Sequence, residues 1–157
     1  MTRIIALIFS HGATLAIGFA LGIYFLPILT APDAPAAEVL AQEAQAAEYS
    51  AELTRDLAGS DALHWGEGTI SVTPERIVHQ GELAPGPDYM VYLTRDFVED
   101  EASFEAIKSE AVQIGDVKSF DGFLLDVPAG VDVENYTTVV IWCEAFGEFI
   151  TAGQYRP

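Results

Sequence analysis

The sequence predicts an all-β domain, a β-sandwich or partly open barrel of about seven short strands, preceded by one transmembrane helix and a short helical stalk. Three observations predict it. Ile4 to Leu29 is a run of 26 residues without Asp, Glu, Lys or Arg. Ala36 to about Leu57 is rich in Ala, Glu, Gln and Leu, the composition of a helix. After Gly59 the texture changes to short alternating apolar runs broken by Gly, Pro and Asp, the pattern of strands and turns. The expected divisions are 1–30 for a transmembrane anchor or signal-anchor, 31–58 for linker and stalk, and 59–157 for the β domain.

Composition narrows the function classes. The 157 residues carry 7 Lys and Arg against 24 Asp and Glu, a net charge of −17. A chain without a basic patch cannot neutralise phosphates, which argues against nucleic acid as a partner. Docking on anionic lipid by charge is disfavoured for the same reason. One cysteine excludes an intrachain disulfide and any zinc or iron–sulfur site built from several cysteines of one chain.

The elements follow in order. As a helix, Ile4–Leu29 would be about 39 Å long, more than the ~30 Å hydrocarbon core, so it can span with some tilt. Arg3 precedes it, whereas Asp33 and Glu38 follow. The positive-inside rule then places the amino terminus in the cytoplasm and the β domain in the periplasm or outside the cell, on a single-pass anchor in the cell membrane. A cleaved signal peptide is the rival, since Ala31, Ala34, Ala36 and Ala37 follow. The run exceeds an ordinary signal core, and Pro32 and Pro35 interrupt the small residues, which favours an uncleaved anchor. Gly18 and Gly22 make a GxxxG match through which two helices could associate, set against the general abundance of Gly in membrane helices.

Thr30–Ala37 reads as an extended tether, and Ala36–Leu57 as a stalk with a narrow apolar stripe that includes Leu40 and Leu53. Strands are expected over Gly68–Val72 and Arg76–Gln80, around a turn at Thr73-Pro74-Glu75, with His79 facing solvent. Further strands are expected over Pro87–Asp96, Ala111–Val117 and Gly122–Val127, followed by a long one after Tyr136 and a short one near Phe149. Phe97–Glu110 looks helical, with Phe104, Ile107 and Lys108 able to face inward, and is read as a surface excursion. Its acidic cluster Glu99-Asp100-Glu101 lacks the spacing of a calcium loop and reads as solvated.

Thr137–Phe146 contains the only cysteine in its most strand-like run. Val139, Ile141 and Cys143 fall on one side, Val140 and Trp142 on the other. A strand apolar on both faces is central and covered twice. Upstream, Gly86-Pro87-Asp88 shapes the bend into a strand, with Asp88 suited to accept backbone N–H bonds.

Four blocks, taken together and in order, resemble the DM-thirteen domain family: Leu63-His64-Trp65-Gly66-Glu67-Gly68, Gly86-Pro87-Asp88 with its following strand, Ile114-Gly115-Asp116-Val117-Lys118, and Val140-Ile141-Trp142-Cys143-Glu144-Ala145-Phe146. The resemblance covers Gly59 to about Tyr155. Lys118-Ser119-Phe120-Asp121-Gly122 departs from the family's usual turn. The resemblance implies an extracytoplasmic β-rich module, often beside DOMON domains, with electron transfer proposed for its cysteine. It makes Cys143 the redox candidate and places His64 in the family's early His-x-x-x-Gly.

Beside the resemblance, the residues leave the chemistry open. An unpaired thiol can be a small buried hydrophobe. No Lys or Arg lies near Cys143 in sequence, and Glu144 would raise a thiol pKa. His64 and Cys143 could jointly ligate a haem iron or copper, with Trp142 beside such a cofactor, although two ligands seldom define a site. No hydrolase or transferase motif is present. Two readings result: a membrane-anchored electron-transfer module using Cys143, His64 and a redox partner protein, or an adhesion or assembly module in which Cys143 is core.

Overall fold

Alternation at two-residue spacing decides which side chains of each strand turn inward. The structure is a computed structural model describing residues 2–157. Its strands are β1 (Tyr49–Leu53), β2 (Gly66–Val72), β3 (Arg76–Leu83), β4 (Tyr89–Thr94), β5 (Val112–Val117), β6 (Phe123–Asp126), β7 (Thr138–Cys143) and β8 (Glu148–Gln154). They form two four-stranded sheets, in the orders β1-β2-β3-β6 and β5-β4-β7-β8, with every pairing antiparallel. The two faced sheets make the expected β-sandwich, with eight strands, and not the partly open barrel that was the other form considered.

The strand β7 is central, between β4 and β8, and all its residues are buried. On its inner side Val139, Ile141 and Cys143 join the layer between the sheets with Ile70, Val72 and Ile77. On its outer side Val140 and Trp142 pack with Met90, Tyr92, Phe104 and Phe149. The two-sided apolar pattern thus reflects two distinct packing layers.

The outer layer exists because of α3 (Glu101–Ile107). Asp100 caps it, its Oδ1 accepting from the Ser103 amide at 2.7 Å, in a reciprocal capping box. Phe104, fully buried, lies 5.0 Å from the Trp142 ring and 5.4 Å from the Tyr92 ring between centroids. The segment expected as a surface excursion is therefore a covering layer of the second sheet.

The expected stalk divides. Ala37–Ala44 is helical (α2) and lays Leu40, 4% exposed, against the first sheet, while Tyr49–Leu53 is strand β1 rather than helix. Tyr49, Ala51 and Leu53 turn towards the core while Ser50 and Glu52 stay exposed, an alternation that pairing with β2 rewards over local helix propensity. Gly122 enters β6 at a φ of +109°, where a side chain would also meet Leu40.

His79 departs from expectation too. It is fully buried and turned into the sandwich, its ring 5.2 Å from that of Phe123 and its Nε2–H donating to the Glu67 carbonyl at 3.0 Å. Burial holds its pKa below the ordinary imidazole value, opposed by that bond. Alternation misled here because His79 and Ile70 are register partners on the same face, so the imidazole follows the isoleucine inward.

Ahead of the domain, α1 (Thr2–Thr30) buries none of its residues, and it is long and apolar enough to cross a membrane by length and composition.

Candidate redox site around Cys143

Cys143 ends β7 at the turn to β8, and three constraints hold it. Its carbonyl accepts from the Gly147 amide at 2.9 Å, which closes the turn, with Gly147 at a φ of +69°. The next amide, of Glu144, donates to the Asp88 carbonyl at 2.8 Å. Across the ladder Tyr89 is its direct register partner, so thiol and phenol share the inner face. A register shift between Ile141 and Trp142 lies just before the cysteine, a common place for a bulge beside a site.

The bend at Gly86-Pro87-Asp88 fixes the opposite wall. Any side chain on Gly86 would overlap the Tyr89 ring, which explains the glycine. Asp88 acts here through its carbonyl; the expected carboxylate-to-amide bonds are replaced by this link to the β7–β8 turn.

The third wall comes from the loop before β2. Asp61 Oδ1 accepts from the amides of Leu63 at 2.6 Å and His64 at 2.8 Å, and its Oδ2 lies 3.2 Å from His64 Nδ1. The Leu63 amide bond, chiefly, and those of His64 hold the Asp61 carboxyl below its ordinary pKa despite some desolvation. With Nδ1–H donating to Asp61, Nε2 of His64 keeps a free lone pair.

These walls enclose a cleft of about 300 Å³ that Cys143, His64 and Tyr89 line together. Leu63 and Phe146 stand at its edge, 56% and 53% exposed, and α1 supplies the remaining side through Ala20, Ile23 and Tyr24. Cys143 itself is 2% exposed. Burial pushes its thiol pKa up, while the amides of Phe146, Ala145 and Asp88 favour the thiolate and restrain the rise. Tyr89 is likewise raised, by burial first and then by the neighbouring thiolate charge. The protonated thiol is therefore the resting form, and an adjacent base is what its activation requires.

Trp142 is not brought into this cleft. It points to the outer layer, where Lys108 Nζ lies 5.1 Å from its ring centre. Lys108 also binds Glu144 at 2.7 Å, and the Tyr92 hydroxyl donates to the same carboxylate. Burial opposes the charge on Glu144, but the Lys108 and Tyr92 bonds outweigh it and lower the pKa. The cation missing from the local sequence thus arrives through α3, on the face of β7 away from the thiol.

Tyr89 and Asp61 belong to the site without having been singled out for it by sequence. Tyr89 carried a signal, its place at the start of the strand after Gly-Pro-Asp, which register pairing turns into proximity to Cys143. Asp61 stands three residues before His64, the spacing of a local Asx turn.

The donor set also bears on cofactors. A copper centre of His₂Cys type needs a second imidazole. His79 is committed to the sandwich interior and His11 lies on α1. Among the described residues no cluster of three or more His, Cys, Asp and Glu could hold a metal. One imidazole and one thiol leave a His₂Cys copper centre one donor short among the described residues.

Comparison with known proteins found no match among curated proteins and none among solved structures. The profile of the electron transfer DM13 family matches residues 57–155, from just before the Asp61–His64 turn through β8, and includes the Gly-Pro-Asp bend and Cys143. The sandwich, the cleft and this match over more than half the chain lead to one identification: the chain belongs to the electron transfer DM13 family.

Proposed function

We propose that the chain is a membrane-anchored, extracytoplasmic electron-transfer module whose redox group is Cys143 and whose accessory base is His64. The observation that carries this reading is that Cys143 and His64, 79 positions apart, line the same cleft. The minimal step is loss of one electron from the thiol sulfur to a one-electron acceptor protein, with the thiol proton passing to His64 Nε2. A base is needed because burial disfavours the bare thiolate. Asp61 orients the imidazole and stabilises the imidazolium that forms.

The amino terminus lies in the cytoplasm and the sandwich on the outer side, in accord with Arg3 before the helix and the acidic residues after it. A second reading rests on the 2% exposure of Cys143: a non-catalytic assembly module in which the thiol is core and the acidic surface selects a cationic partner.

Stopped-flow oxidation of the purified full chain by ferricyanide, with Cys143 followed by mass spectrometry, separates the two. On the redox reading Cys143→Ala abolishes the reaction, and His64→Gln slows it by about a hundredfold while leaving the fold intact. A thiol that stays reduced until the protein unfolds selects the assembly reading.

A further inference from the structure

The Cys143 cleft is walled on one side by the anchor helix, and its surroundings define the medium from which it can be reached. A second groove, of about 610 Å³, runs along α1 past Gly18, Gly22 and Leu26, bounded on the domain side by Phe146 and Pro87. The two spaces share Ile23, Pro87 and Phe146, so groove and cleft adjoin. A Cβ on Gly18 or Gly22 would have nothing within 4 Å, so the paired glycines leave a notch in the helix surface facing the domain.

Depth follows from helix rise. For a helix upright in the bilayer, at ~1.5 Å per residue, a ~30 Å hydrocarbon core takes about 20 residues, which from Ile4 reaches Ile23. Ala20, Ile23 and Tyr24 would thus stand at the outer boundary of the hydrocarbon, with Tyr24 and Phe25, edge to face at 5.1 Å, at the level of an interfacial aromatic belt. Of the residues that line the two spaces, none is Asp, Glu, Lys or Arg. The polar side chains that line the cleft are the imidazole of His64, the phenols of Tyr24 and Tyr89 and the thiol of Cys143. The space therefore offers an apolar trough for a tail and a small chamber with uncharged hydrogen-bonding groups, the Tyr89 hydroxyl among them as a donor, for a neutral head. A volume near 300 Å³ is at the lower end of small-molecule sites, suited to one substituted ring.

From this arrangement we propose that the cleft and groove together bind a neutral, lipid-soluble carrier of the quinone class, its carbonyl-bearing ring among His64, Tyr89 and Cys143 and its tail along Gly18 and Gly22. The molecule enters sideways from the bilayer. The net charge of −17 disfavours an anionic lipid as occupant, and the absence of charged lining disfavours any charged head group. This inference deepens the electron-transfer reading and rests on α1 spanning the membrane.

The test uses the full chain, one copy per phosphatidylcholine nanodisc, with decylubiquinone as probe. Its fully substituted ring resists addition by thiols. Modification of Cys143 by N-ethylmaleimide is followed by mass spectrometry. At a probe concentration about ten times its Kd, modification is expected to slow about tenfold. Gly22→Leu, which fills the notch, is expected to abolish most of that protection. A thiol that N-ethylmaleimide never reaches in the folded chain overturns the inference. So does a decylubiquinone effect that is absent, matched by decane, or unchanged in Gly22→Leu. Protection seen only with two chains per nanodisc assigns the notch to a dimer and overturns it as well. Protection without ferricyanide oxidation of Cys143 would leave the quinone site standing while the redox reading fails; oxidation without protection would do the reverse.

Discussion

Phe104→Ala measures whether α3 is part of the domain. The ring is fully buried between Trp142 and Tyr92. Truncation removes roughly 100 Å² of buried apolar surface, which at about 25 cal/mol per Å² is about 2.5 kcal/mol. Each aromatic pair adds about 0.5–1.5 kcal/mol, and the cavity left behind brings the total into the range of about 3–5 kcal/mol found for buried Phe. Against a stability of roughly 5–15 kcal/mol for an ordinary domain, this is a large share. Urea denaturation of the full chain in dodecylmaltoside, followed by near-ultraviolet circular dichroism, should show a lower midpoint. The native Trp142 signal should weaken as well, since Phe104 is its closest aromatic neighbour. A loss below about 1 kcal/mol with an unchanged spectrum would refute the assignment of α3 as a covering layer, because a surface residue costs about that little.

Two further outcomes follow from buried groups. His79 has a lowered pKa in the folded state, so above its ordinary value of 6.5 both states are neutral and it contributes no pH dependence. As pH falls below that value the unfolded chain takes up a proton that the folded chain resists, and stability drops until the folded-state pKa is reached. The Tm of the wild type should therefore fall more between pH 7 and pH 5 than that of His79→Gln, measured by calorimetry, and parallel curves would refute the linkage. Gly86→Val should displace the Tyr89 ring and open the Cys143 cleft. N-ethylmaleimide labelling of Cys143 should speed up severalfold, whereas an unchanged rate would show that Tyr89 does not screen the thiol.

Legibility in the sequence followed the range of the interactions. The central strand was readable because its covering on both faces is written into six consecutive residues, and Cys143 came with it. β1 was not, because Tyr49–Leu53 sits in Ala- and Glu-rich sequence whose local preference is helical, and its strand form depends on β2. α3 is legible as a helix, but its role is hidden, since nothing in the sequence near Phe104 says that the outer side of β7 needs a cover. At the site, His64 is legible through residues shared with a family, whereas Tyr89 emerges from register and the α1 wall from the path of the chain. Trp142, adjacent to Cys143 in sequence, faces away because successive strand residues alternate.

The family match begins at residue 57, yet β1 ends at Leu53 and pairs with β2 from Tyr49 opposite Val72 to Leu53 opposite Gly68. A fragment cut at the family boundary would lose that neighbour and turn β2 into a bare edge carrying Thr69 and Ser71 outward, with Leu53 gone from the core. Such an edge is a template for another chain. Dimers or aggregates of a shortened domain would then report a missing strand, and a fragment beginning before Ala37 is the smallest that keeps both β1 and the α2 cover of the first sheet.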